Sequence, residues 1–132
     1  MVRRICGGML LGFGLTQMLT LGLTQLGQPW CYQGRITGYV RGTGNALTYD
    51  GTSIWTSEDI VAAGWDIPLQ SVVYVEGLGN FRVADRGKLG PGHIDVAVWS
   101  LTEAYALTSV RRICVYPPGS LPVPGPTLPP WE

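Results

Sequence analysis

At 132 residues the chain is long enough for one domain with a single core. Only 14% of residues are charged, and glycine (19) and proline (10) are abundant, so much of the chain must be turn and irregular structure. From Cys31 onward seven Lys/Arg face nine Asp/Glu, a net of −2, and there is no basic patch interleaved with aromatics, so nucleic acid is excluded as an expected partner.

In chain order, Arg3 and Arg4 precede an apolar run from Ile5 to Leu26 that contains no acidic residue. A basic start followed by an apolar stretch predicts export, with 1–30 as a signal peptide or an uncleaved apolar helical anchor. The product is expected in the periplasm, in the cell wall or on the outer face of the cytoplasmic membrane. Membrane contact is expected only through 5–26, if the signal is retained. Residues 31–116 read as one β-rich domain. Strands are expected over 33–40, 71–76, 81–84, 94–99 and 110–116, where β-branched and aromatic residues cluster between glycine-rich turns. Ser57 to Ala63 is open to two readings, a short helix capped by Ser57 or an extended arm. Ser100 followed by Glu103 makes a capping box and predicts a helix over 100–107. The segment from Pro117 holds seven of the ten prolines, so 117–132 reads as an extended tail. Many short strands with one or two short helices predict a mainly β fold, a small barrel.

Cys6 lies in the targeting run, which leaves Cys31 and Cys114 in the exported part. An oxidising compartment permits a disulfide between them, and two separate buried thiols are the alternative. With a single histidine, His93, and distant cysteines, no metal-ligand spacing exists, and no cofactor is expected. The most informative segment places Asp85 and Asp95 at the two ends of a glycine-rich loop, each beside a strand. Brought together, two carboxylates raise each other's pKa and suit acid/base chemistry; otherwise they cap turns beside Gly87 and Gly92. His93, two residues from Asp95, faces the same way on a strand. Tyr39, Trp65 and Tyr74 are candidates for stacking on sugar rings.

The ordered set Ile36-Thr37-Gly38-Tyr39, Thr48-Tyr49-Asp50-Gly51-Thr52, Val61 to Leu69, Val73 to Gly79, Val83-Ala84-Asp85-Arg86-Gly87, His93-Ile94-Asp95-Val96 and Glu103-Ala104 resembles the three-aspartate (3D) domain family over about residues 35–116. That family is related to the catalytic barrel of membrane-bound lytic transglycosylase A and to stationary-phase muralytic proteins. The resemblance implies a six-stranded double-psi β-barrel. It also implies cleavage of the bond between N-acetylmuramic acid and N-acetylglucosamine in peptidoglycan glycan strands, without water, leaving a 1,6-anhydro end. It makes Asp95 the catalytic residue with Asp85 in support. Ala63 holds the usual place of the third aspartate, and Asp66, directly before Ile67, is the nearest candidate. The expected substrate-binding set is Tyr39, Thr52, Arg86, Gly87, Lys88 and His93. Two departures stand out: Gln70 occupies a family glycine position, and the loop between Asp85 and Asp95 is one residue short. The alternatives are a non-catalytic cell-wall glycan-binding module and a structural or assembly protein of an envelope or phage that uses the barrel as a scaffold.

Overall fold

The structure, a computed structural model, describes residues 27–120. The targeting run and most of the proline-rich tail lie outside the described residues. Among the described residues no helix is long and apolar enough to cross a membrane. Six strands and one helix follow in chain order: β1 (Trp30–Val40), β2 (Ile60–Ala63), β3 (Val72–Val75), β4 (Gly79–Arg86), β5 (Ile94–Val98), α1 (Leu101–Leu107) and β6 (Ser109–Tyr116). The strands close into a barrel in the order β1-β5-β2-β4-β3-β6. The β1/β5 and β2/β4 pairs are parallel and the other four are antiparallel. This is the expected mainly β, six-stranded barrel of double-psi type. Closure satisfies the backbone groups that an open sheet would leave at its edges.

Alternation decides which side chains fill the barrel. Ile36, Val61, Ala63, Val73, Val75, Phe81, Val83, Ile94, Val96, Val98, Ile113 and Val115 share one buried cluster, spaced by two along their strands. A second, smaller cluster of Ile54, Ile60, Ala84 and Ala97, with Tyr39 against it, lies on the other side of the sheet. The segment 41–59 thus covers part of the barrel's outer face through Ile54. Strand β2 is buried at all four positions. That burial resolves the two readings of Ser57 to Ala63 in favour of extended chain: Val61 and Ala63 enter the barrel, while Ile60 packs under the covering segment. An apolar run buried on both faces carries no strand alternation to read.

Helix α1 begins as its capping box predicts, with the Ser100 hydroxyl accepting from the Glu103 amide at 3.2 Å. The reciprocal bond is shifted by one residue: Glu103 Oε2 accepts from the amide of Trp99, at 3.1 Å. The helix seats on β1 where Gly38 meets Ala104; a Cβ on Gly38 would lie 2.9 Å from the Ala104 Cα. Cys31 and Cys114 are direct cross-strand partners of β1 and β6 and form a disulfide, Cα to Cα 4.1 Å. It packs with Tyr74 and Tyr116, so Tyr74 is a buried residue here and not a surface for sugar.

A polar network pins the covering segment to β4. Asp50 accepts from Thr48, Thr52, Gln70 and Arg82, and Arg82 also pairs with Glu58 at 2.6 Å. Burial alone would raise the Asp50 pKa, but these hydrogen bonds outweigh it and hold the carboxyl far below the usual carboxylate range. Gln70 stands at a strained backbone position. It is the only non-glycine with positive φ among the described residues, at +70°. A β-carbon is disfavoured there, which is why glycine suits the position. The glutamine side chain compensates by donating to Asp50 at 2.7 Å and accepting from Arg82 at 2.9 Å. Gln70→Ala keeps the strain and loses both bonds, whereas Gln70→Gly loses both bonds and the strain. The glycine variant is therefore expected to be about 1 kcal/mol more stable than the alanine variant. Urea midpoints of the two variants check this, and equal midpoints would refute the strain argument.

Candidate functional site

The two central aspartates arrive on one face by different routes. On β5, Ile94 and Val96 point into the barrel, so Asp95 between them points out. On β4 the same alternation, continued from Phe81 and Val83, would turn Asp85 into the core. A register shift between Val61 and Ala62 of β2 prevents this: Val61 pairs with Val83, but Ala62 pairs with Asp85. Ala84 is the extra residue, and the bulge re-aims Asp85 to the outer face. Ala62 also pairs with Asp95 from its other side. Asp85 and Asp95 therefore flank one small residue in the same row, with two interstrand spacings, roughly 10 Å, between their Cα atoms. The two carboxylates thus share one face through the bulge in β4, with strand β2 between them.

Around Asp95 the partners come from β1 and from the residue before β5. Thr37 donates its hydroxyl proton to Asp95 Oδ1 at 2.8 Å, and Thr37 Oγ1 lies 2.7 Å from His93 Nε2. Burial pushes the Asp95 pKa up; the Thr37 hydrogen bond and His93 pull it down, and Asp85 adds a further push upward. The balance is upward, so Asp95 keeps its proton further toward neutral pH than an ordinary aspartate. Asp85 is differently held. Its Oδ1 accepts from the amides of Tyr49 at 3.0 Å and Arg86 at 2.9 Å. Tyr39 points to the same face from β1, and its hydroxyl is buried. Burial, then Asp85 and Asp95, push the Tyr39 phenol well above its ordinary range, so it remains a neutral donor.

Beside this row an aromatic rim stands in solvent. Trp65 is 73% exposed and Tyr49 59%, with ring centroids 5.6 Å apart in an edge-to-face pair. The Arg86 guanidinium lies 4.9 Å from the Trp65 ring and donates to the carbonyls of Gly64 and Ile67. A cleft of about 200 Å³ opens between Tyr39, Asp85 and Arg86 on one side and Gly42 to Asn45 with Leu47 on the other. Gly87 and Lys88 are exposed at the start of the glycine-rich loop. Two of the expected site residues have structural partners. Asp66 accepts from the Gly92 amide at 2.8 Å, while Tyr32 donates to the Gly92 carbonyl at 2.8 Å, so both clasp the far end of that loop. Thr52 sits in the Asp50–Arg82 network. Thr37 and Tyr49 were not among the expected site residues. Thr37 carries a legible signal, since it alternates with Tyr39 on β1; the role of the Tyr49 amide depends on a fold-back that no local pattern encodes.

Asp85→Asn isolates one electrostatic contribution. Asparagine keeps an oxygen for the Tyr49 and Arg86 amides, so only the charge is removed. The Asp95 pKa is then expected to fall, because a like charge no longer opposes its ionisation. Carboxyl carbon NMR titration of Asp95 checks this, and an unmoved titration would remove Asp85 from the electrostatics of the site.

No family model matches the chain, and no curated protein matches it. Two solved structures resemble it, both of an expansin from Clavibacter michiganensis. A mutant form in complex with cellohexaose matches with a TM-score of 0.48 and 18% identity, covering 72% of this chain and 54% of that one. The apo form matches with a TM-score of 0.44 and 20% identity, covering 76% and 54%. The chain thus spans about half the length of either structure, and at these identities the likeness concerns the fold alone.

Proposed function

We propose that the outer face around Asp95 binds a cell-wall glycan strand and that Asp95 cleaves it as the acid/base of a lytic transglycosylase. The observation that carries this reading is the half-buried Asp95, its pKa raised by burial, in a row with Asp85, on whose far side Tyr49 and Arg86 hold the exposed aromatic pair. In the reaction, protonated Asp95 gives its proton to the glycosidic oxygen as the bond to C1 of N-acetylmuramic acid breaks. The 6-hydroxyl of the same sugar then attacks C1 and returns its proton to Asp95. The products are a free 4-hydroxyl and a 1,6-anhydro end, with no water consumed. One carboxyl suffices for both steps. A hydrolase of the ordinary kind needs a second free carboxylate, and the Asp85 oxygen that accepts the Tyr49 and Arg86 amides favours a supporting role. The resemblance to the 3D family points the same way. The Cys31–Cys114 disulfide supports export to an oxidising compartment.

A second reading, a glycan-binding module without turnover, is favoured by the aromatic rim. Trp65 and Tyr49 present ring faces suited to the C–H side of a pyranose whether or not a bond is broken. Incubating the full chain with purified peptidoglycan, followed by mass analysis of the soluble sugars, separates the two. Anhydro ends support the transglycosylase and reducing ends indicate a hydrolase. Retention on the wall without release supports the module.

A further inference from the structure

The groups around Asp95 form a chain with a direction. Thr37 has one hydroxyl proton, and it goes to Asp95 Oδ1 at 2.8 Å. The Thr37 oxygen can then only accept from His93 Nε2 at 2.7 Å, which requires the proton of that nitrogen to be in place. His93 lies 56 residues from Thr37 in sequence and Thr37 58 from Asp95, so the parallel β1/β5 pairing assembles the three. We propose that His93 and Thr37 are positioning residues for the acid. The chain His93 Nε2–H to Thr37 Oγ1–H to Asp95 Oδ1 reserves Oδ1 as an acceptor and so leaves Oδ2 to carry the transferable proton. This rests on the transglycosylase reading of the site.

The physical reasoning is that a carboxylic acid with two equivalent oxygens divides its proton between them, and only one can lie against the glycosidic oxygen. A donor fixed on one oxygen removes that ambiguity and makes the other the acid. After proton transfer the same Thr37 bond stabilises the carboxylate until the 6-hydroxyl proton returns. Other titratable groups also face Asp95: Asp85 from β4 and the Tyr39 phenol from β1, while β2 contributes only Ala62. Neither Asp85 nor Tyr39 is a link in the chain, so a substitution at Thr37 should act on His93 and Asp95 together.

The test is NMR titration of the Asp95 carboxyl, with detection of the His93 Nε2 proton, in the full chain, without glycan, in Thr37→Val and Thr37→Ser. Valine removes the hydroxyl at constant shape. Asp95 loses a donor to its charged form, and the His93 Nε2–H loses its acceptor. In Thr37→Val the Asp95 pKa is expected to rise, and the Nε2 proton resonance to move from its hydrogen-bonded position. Serine should restore both, and sugar release should follow the same order, with Thr37→Ser near wild type and Thr37→Val well below it. An unmoved Asp95 titration and an unmoved Nε2 resonance in a folded Thr37→Val protein, or a serine variant that behaves as valine, would overturn the chain. His93→Ala keeps the question open to refutation if the valine variant does not fold: Asp95 should again titrate at higher pH, and an unchanged value overturns the proposal. Titrations that move as expected in a protein that releases no sugar leave the chain standing and defeat the transglycosylase reading instead.

Discussion

Asp95→Asn is expected to lower sugar release from peptidoglycan by roughly 10²- to 10⁴-fold, the usual worth of a general acid/base. Asparagine matches the shape, and its oxygen still accepts from Thr37, so the local structure has no reason to move. The sign of the stability effect can also be fixed. Burial raises the Asp95 pKa in the folded protein above its unfolded value, so the ionised form costs stability as pH rises through that range. A neutral asparagine removes this cost, and the variant should melt at or above the wild-type temperature at neutral pH. Loss of release together with an undiminished melting temperature is the expected pair of results. Wild-type rates from the folded variant would take Asp95 out of the chemistry.

Loss of the Cys31–Cys114 disulfide is expected to have the largest effect on stability. It joins the first and last strands of the barrel across 83 residues. Closing a loop of that length restricts the unfolded chain by about 4–5 kcal/mol in the chain-entropy account, with measured values more often about 2–4. For a barrel of this size each kcal/mol moves the melting temperature by about 4–8 °C. The double variant Cys31→Ala, Cys114→Ala should therefore melt on the order of 10–30 °C below the oxidised protein. Reduction of the wild type should bring it to the same level. A double variant that melts with the oxidised protein would show that β1 and β6 hold together through their pairing alone.

The sequence made some of this legible and hid the rest for identifiable reasons. Strands β3 and β5 were readable because β-branched residues alternate or cluster between glycines. The start of α1 was readable because Ser100 and Glu103 act locally. Asp85 and Asp95 are readable as a pair because one lies at the end of a strand and the other at the start of the next, across one loop. Strand β2 was ambiguous because burial on both faces removes the alternation that marks a strand. The outward turn of Asp85 was not readable at all: simple alternation from Val83 sends it inward, and only the bulge against β2 reverses it. The positive φ of Gln70 and its bonds to Asp50 and Arg82 depend on the fold and leave no mark in the local sequence. The stacked pair of Trp55 and Trp99, with Arg41 4.5 Å from the Trp99 ring, likewise depends on contacts between distant segments.

The central claim is that the outer face around Asp95 is where the glycan lies. Amide chemical-shift mapping tests it most directly, with the full chain titrated by a soluble peptidoglycan fragment of alternating N-acetylglucosamine and N-acetylmuramic acid. The expected result is a continuous set of shifted resonances over Thr37, Tyr39, Asp85, Arg86 and Asp95, extending to Tyr49 and Trp65. Shifts confined to the opposite wall, β3 and β6 around Tyr74 and Val115, or no shifts at saturating fragment, would contradict it.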